Sequence, residues 1–398
     1  MADGRQPPVL DIDRLIDDRR NRILVCCGSG GVGKTTTAAA IGLRAAERGR
    51  HVVVLTVDPA RRLAQSMGLT SLDNTPRLVR GVGATAPAPD ANSHAGNGES
   101  PAGSLHAMML DMKRTFDEIV EAHADPDRAA QILANPFYQS LSSSFAGTQE
   151  YMAMEKLGQL RRAEEWDLIV VDTPPSRSAL DFLDAPQRLA RFLDGRLLRL
   201  LITPAKVGGR AYMRVLNAGF GVVTGVLTKI LGTQVLKDVQ TFVSALDTMF
   251  GGFRERADYT YQLLRAPGTA FLVVAAPEPD ALREASYFVE RLAEERMPLA
   301  GLVLNKVQRP PAAHLSAARS LAAAETLEAS AAGGPHPLAV AALRLHADRM
   351  QQAAAQRRVA EHFTAAHPHV PVAEIPAQPD DIHDLDGLRN IGKAFGSD

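Results

Sequence analysis

A chain of 398 residues, 45% hydrophobic and 22% charged, can bury the core of one large α/β domain or two smaller ones. Its 44 Lys+Arg against 45 Asp+Glu leave a net charge of -1, so no global basic field favours nucleic acid or an anionic membrane. Aromatics at 5% argue against a base-stacking platform for single strands.

Met1 to Asn21 forms a lead-in with a short helix at Ile12 to Arg20. No apolar h-region precedes Arg22, so no secretory signal is expected and the chain is expected in the cytoplasm. Ile23-Leu24-Val25-Cys26-Cys27 then reads as a short apolar strand. The two cysteines point to opposite faces of that strand and should not bond each other, and no C-x-x-C exists to hold zinc. The strand runs into Gly28-Ser29-Gly30-Gly31-Val32-Gly33-Lys34-Thr35-Thr36, a match to G-x-x-x-x-G-K-[ST]. Ala38 to Arg48 follows as a helix that stops at Gly49.

The chemistry explains these residue types. Four glycines let backbone N–H groups fold around phosphate oxygens with no Cβ in the way, and the helix N-terminus adds partial positive charge. Lys34 would reach the β- and γ-phosphates of a nucleotide, and the Thr35 hydroxyl would take a place on Mg²⁺. A glycine-rich turn of another origin would lack the strand before it and the helix after it. Gly28 through Thr36 are therefore the nucleotide-binding candidates, with ATP–Mg²⁺ as the expected ligand.

His51 to Val57 is a second buried strand, ending on Asp58-Pro59-Ala60-Arg61. An acidic residue there faces the ligand crevice of an open α/β sheet. Asp58 would sit either on a ribose hydroxyl or near the γ-phosphate and its attacking water, and the following Pro-Ala favours the second. A plain helix N-cap is compatible with both. Residues 83–104 are rich in Ala, Pro, Gly, Asn and Ser and read as a disordered insertion. Leu105 to Leu160 reads as mostly helical, with Met108, Met109, Met112, Phe116, Ile119 and Val120 near one stripe.

Trp166 to Asp172 is a third strand, and Asp172 is the expected partner carboxylate of the phosphate loop, holding the Mg²⁺ shell through water. Residues 105–160 and 179–265 together suggest a helical subdomain inserted into one ATPase domain that spans residues 1–398. The apolar runs Leu197 to Leu201, Val222 to Leu227 and Phe242 to Phe250 fit an internal bundle, or a groove for a hydrophobic client. Ala270 to Ala275, Leu299 to Leu304 and His369 to Ile375 are further strands, and Pro310 to Leu338 is a loose helix and loop. His362, His367, His369 and His383 lack ligand spacing and read as surface residues. The alternation predicts an α/β fold: a mostly parallel, doubly wound sheet with helices on both faces.

Five segments in order carry a resemblance: Gly28 to Thr36, Asp58-Pro59-Ala60, Asp172-Thr173-Pro174-Pro175, Asn305-Lys306-Val307, and Ile375-Pro376-Ala377-Gln378-Pro379-Asp380-Asp381-Ile382. The chain resembles the family of the arsenite-pump ATPase and the ATPase that targets tail-anchored membrane proteins. The resemblance implies that Lys34 and Asp58 are catalytic, with Asp58 orienting or activating water. It implies that Asn305 reads the adenine edge, with Pro376 and the turn after Ile375 packing on the base. It also implies a dimer and a hydrophobic client bound by the helical subdomain, with membrane contact only through client or partner.

Three departures qualify it. The family's lysine at the second motif position, which reaches the partner's phosphates, is Ser29 here, and Asp-Pro-Ala-His ends in Arg61. Neither metalloid-binding cysteines nor a zinc C-x-x-C is present, which counts against arsenite as ligand. Ser29 favours a heterodimer with a lysine-containing paralogue over a homodimer, unless Arg61 or Arg177 supplies the charge. The alternative to a client-coupled ATPase is a partner subunit with weak activity of its own. A partition-type ATPase on DNA or membrane is weakened by the lack of a basic stretch or amphipathic tail.

Overall fold

The computed structural model describes residues 8–58, 62–82, 103–136, 138–139, 148–174, 255–256, 258–330 and 336–396. In chain order its first half holds α1 (Ile12–Asp17), β1 (Ile23–Cys27), α2 (Lys34–Glu47), β2 (His51–Thr56), α3 (Arg62–Ser66), β3 (Arg77–Leu78) and β4 (Ser104–Met109). Then come α4 (Met112–His123), α5 (Pro126–Leu133), α6 (Thr148–Arg162) and β5 (Leu168–Asp172). The remainder holds β6 (Thr269–Ala275), α7 (Pro279–Glu294), β7 (Leu299–Val307), α8 (Ala317–Ala329), α9 (Pro337–Ala366), β8 (Val372–Pro376) and α10 (Leu385–Gly392).

Helix starts follow local chemistry. Asp11, Asp111, Ser316 and Asp384 each accept from a backbone N–H in the first turn of α1, α4, α8 and α10. Pro126, Pro279 and Pro337 open α5, α7 and α9, where the missing N–H costs nothing.

The strands form one sheet in the order β3-β4-β2-β5-β1-β6-β7-β8, parallel throughout except for β3. β1, β5 and β6 are buried along their whole length, as strands covered on both faces must be. Leu24, Cys26, Val52, Val54, Leu168 and Val170 share one core with residues of α1, α2 and α10, while α7 packs on β6 and β7. From β1 the chain crosses to β2 on one side, and from β5 it returns past β1 to β6 on the other. The carboxyl end of β1 is thus the switch point of the sheet, where such folds open a ligand crevice.

Two expectations need correction. Leu105 to Met109 is strand β4, not the start of a helix, and pairs in parallel with β2 from His51↔Ser104 to Thr56↔Met109. A short apolar run satisfies either period, and the open edge of β2 decides it. Gly103 and Ser104 likewise belong to the packed sheet rather than to the insertion. Ser104 N donates to Arg50 O at 3.1 Å, and a Cβ on Gly103 would lie 2.1 Å from Ala46 O. The rest of the expected insertion lies outside the described residues. The 30-residue helix α9 had no sequence forecast, because its apolar positions are scattered among Ala, Gln and Arg.

The chain divides into two compact units, Met1–Met109 with Glu165–Ala179 and Leu264–Asp398, and Leu110–Glu164 with Leu180–Leu263. The first holds the sheet. In the second, α4, α5 and α6 are all-helical; Phe116 meets Tyr138 edge-on at 5.9 Å, and the Tyr138 hydroxyl donates to Asp117 at 2.6 Å. The apolar runs read as a bundle or groove fall outside the described residues.

Candidate functional site

The loop after β1 begins with a glycine that packing requires. Gly28 has φ 149, and a Cβ there would sit 2.1 Å from the backbone oxygen of Val274 on β6. Gly33 closes the loop at φ 94 as the N-cap of α2, where a Cβ would sit 2.2 Å from Asn305 Nδ2. Between them Gly30 and Gly31 are exposed and Val32 is buried. Lys34, the first residue of α2, turns back so that its Nζ donates to Ser29 O at 2.8 Å. Lys34 is only 6% exposed, and burial pulls its ammonium pKa down against the opposing pull of Asp172, Cys27 and Asp58.

Strand register brings Asp172 to this loop, since β5 pairs with β1 at Cys26↔Asp172 and with β2 at Thr56↔Asp172. Asp172 Oδ2 accepts from Thr35 Oγ1 at 2.7 Å and from Thr56 Oγ1 at 2.8 Å. Its Oδ1 is buried with no partner among the described residues. Burial raises the Asp172 pKa to about 6; the two hydroxyls and Lys34 oppose the rise, and Asp58 adds to it. Asp58 stands at the end of β2, half-buried, with its N–H donating to Thr56 Oγ1 at 3.2 Å. Lys34, Thr35, Asp172 and Asp58 are therefore brought together, and Thr56, which the sequence reading passed over, links Asp58 to Asp172. Its signal was a hydroxyl at the end of an otherwise apolar strand.

On the other flank, β7 ends against the loop. Asn305 is buried; its Nδ2 donates to Val32 O at 2.8 Å, and its Oδ1 accepts from Lys306 N at 2.9 Å. Lys306 Nζ donates to Gly31 O at 2.8 Å. Pro376, the last residue of β8, is the register partner of Val307, and Ala377 N donates to Val307 O at 2.9 Å. Asn305 and the turn after Ile375 are thus neighbours on adjacent strand ends. Thr36 lies in the first turn of α2. Ser29 Oγ and Thr37 Oγ1 are buried with no partner among the described residues. Pro59, Ala60, Arg61, Pro175, Ser176 and Arg177 lie outside the described residues.

Cys26 and Cys27 are free and buried. Burial pushes the Cys26 thiol pKa well up and that of Cys27 to about 12, so neither offers a thiolate at neutral pH. His362, His369 and His383 are exposed and His367 is half-buried. No described helix is long and apolar enough to cross a membrane.

The arrangement can cradle an anion on backbone N–H groups and place a cation and two carboxylates beside it. The sequence profile of the anion-transporting ATPases matches residues 21–328. The ATPase GET3 of Malassezia globosa is 28% identical over 192 residues, 48% of this chain and 50% of that protein. The ATPase ASNA1 homolog of Cryptosporidium parvum is 24% identical over 283 residues, 71% of this chain and 64% of that protein. The ATPase ARSA2 of Chlamydomonas reinhardtii is 24% identical over 314 residues, 78% and 74% of the two chains. The match thus spans about half of the first relative's length and under two thirds of the second's.

Proposed function

The chain belongs to the anion-transporting ATPase family, and on that premise we propose that it binds ATP with Mg²⁺ at residues 28–36 and hydrolyses it. The observation that carries this reading is the convergence of Lys34, Thr35 and Asp172 at one loop, with a carboxylate oxygen buried and unpartnered among the described residues. A buried carboxylate beside a helix N-terminal hydroxyl suits a hard cation with oxygen ligands. When bound, Mg²⁺ would neutralise phosphate charge there.

The residues take these roles. Lys34 Nζ leaves Ser29 O for the β- and γ-phosphates, where its charge is stabilised more than by a neutral carbonyl. Thr35 would hold the ion directly, and Asp172 through water. Asp58 orients or activates the attacking water. Asn305 and Pro376 border the adenine. Hydrolysis would couple to the conformation of a dimer and to binding of a hydrophobic protein segment by the helical unit. The relatives are named as ATPases and nothing more, so client and dimer rest on the family resemblance.

A second reading follows from Ser29: the chain binds ATP as one half of a heterodimer and turns over slowly alone. One experiment addresses both readings: the molecular mass of the purified chain with and without ATP–Mg²⁺, measured beside phosphate release. Absence of saturable ATP binding refutes both. A dimer with ordinary turnover favours the first reading, and ATP binding without turnover until a paralogue is added favours the second.

A further inference from the structure

Lys306 is the second lysine on the phosphate loop, and it reaches the loop from outside. Its Nζ donates to Gly31 O at 2.8 Å, while Asn305 Nδ2 donates to Val32 O at 2.8 Å. Two consecutive side chains of β7 thus hold two consecutive loop carbonyls. The backbone is bent to allow this. Lys306 has φ 63, in the left-handed region, and the β7–β8 register shifts between Leu304 and Val307. The turn is pinned by Lys306 N donating to Asn305 Oδ1 at 2.9 Å. Glycine would meet this backbone at lower cost, so what lysine adds here is its side chain.

The consequence lies in the peptide units. Among the described residues no peptide bond is cis, and in a planar trans unit the N–H points opposite to the C=O. With the Gly31 carbonyl turned to Lys306 and the Val32 carbonyl turned to Asn305, the N–H groups of Val32 and Gly33 point away from β7, into the loop. A cation on a carbonyl draws electron density through the amide and makes its N–H a stronger donor.

We propose that Lys306 is a positioning residue for phosphate binding: from outside the loop it orients and polarises the Gly31–Val32 peptide, so that the Val32 N–H binds the enclosed anion more strongly. The inference rests on residues 28–36 being the nucleotide site and adds a residue to that site. Lys34 acts on the phosphates themselves; Lys306 acts through the backbone.

The test uses the full chain and its Lys306→Gly, Lys306→Arg and Lys34→Ala variants. ATP–Mg²⁺ is titrated by calorimetry, and thermal unfolding is recorded without nucleotide. Lys306→Gly should bind ATP roughly tenfold more weakly, the effect expected for one hydrogen bond to a charged group. Its unfolding midpoint should equal or exceed that of the wild type, because glycine relieves the left-handed backbone. Lys306→Arg keeps a cation and should stay within about threefold of wild type. The proposal is overturned if Lys306→Gly binds as the wild type does, if its loss of affinity comes with a lowered midpoint, or if Arg is no better than Gly. A wild-type chain that fails to bind ATP, or a Lys34→Ala variant that binds normally, instead brings down the nucleotide site. Wild type binding, Lys34→Ala silent and Lys306→Gly unchanged brings down the role of Lys306 alone.

Discussion

Thr35 Oγ1 donates to Asp172 Oδ2 at 2.7 Å and so ties the first turn of α2 to the end of β5, 137 residues away. The same oxygen accepts from Thr56, and the other carboxylate oxygen is buried without a partner among the described residues. The two oxygens of this carboxylate thus sit in different surroundings.

That imbalance predicts a pH effect on the nucleotide-free, metal-free chain. Asp172 has its pKa raised from 3.8 to about 6 on folding, so between those values the folded state holds a proton that the unfolded state has released. Stability therefore falls as pH rises through this window and levels off above about 6, with a total loss of roughly 3 kcal/mol. Asp172→Asn removes this component. Its stability relative to wild type should rise between pH 4 and pH 8, as read from denaturant midpoints. A difference independent of pH would refute the assignment.

The loop glycines are not equivalent, and the structure ranks them. Gly28→Ala drives a methyl group into the Val274 carbonyl, which is backbone and cannot move aside, so the chain should lose about 3 kcal/mol or more. Gly31→Ala meets open space at φ 77 and should cost only the left-handed penalty, about 1–2 kcal/mol. Urea unfolding of the two variants checks the order, and equal losses would contradict it.

The ranking shows where sequence reading stops. G-x-x-x-x-G-K-[ST] marks Gly28 and Gly33, but that Gly28 packs on β6 and Gly33 on Asn305 depends on strands more than 200 residues downstream. Asp172 was legible because an unbroken apolar run ends in a single acid. Thr56 was not, and Lys306 stood out only as part of the Asn305-Lys306-Val307 segment with no role, because their contacts lie with partners that only the sheet order supplies. β4 was misread for the same reason: Leu105 to Met109 is ambiguous alone and becomes a strand beside β2.

Lys34→Ala should abolish ATP–Mg²⁺ binding. Lys34 is buried beside Asp172 and carries the loop's own cation, so alanine removes the charge destined for the β- and γ-phosphates. Calorimetry with undiminished affinity would contradict this.

Asp58→Asn should leave ATP affinity largely intact and lower turnover by ~10²–10⁴-fold, the range for a group that orients or activates water. Asp58 follows Thr56, whose hydroxyl links it to Asp172, and its charge acts on both Lys34 and Asp172. Weakened binding with normal turnover at saturation would move Asp58 to the ribose.

Ser29 sets the last prediction. Its backbone oxygen holds Lys34, and its own hydroxyl is buried with no partner among the described residues. Where the resemblance implies a lysine reaching a partner's phosphates, this chain offers a neutral group. A cation supplied in trans to a transferring phosphoryl group is worth ~10³–10⁵ in rate. The purified chain alone should therefore hydrolyse ATP far below the usual ~1 s⁻¹ and faster. Ser29→Lys should raise that rate by at least ~10²-fold, provided two copies meet in ATP. Wild-type turnover at ordinary rates would remove the need for a lysine-bearing partner. Arg61→Ala and Arg177→Ala would then show which arginine had taken over, since only the substitute's loss would collapse the activity.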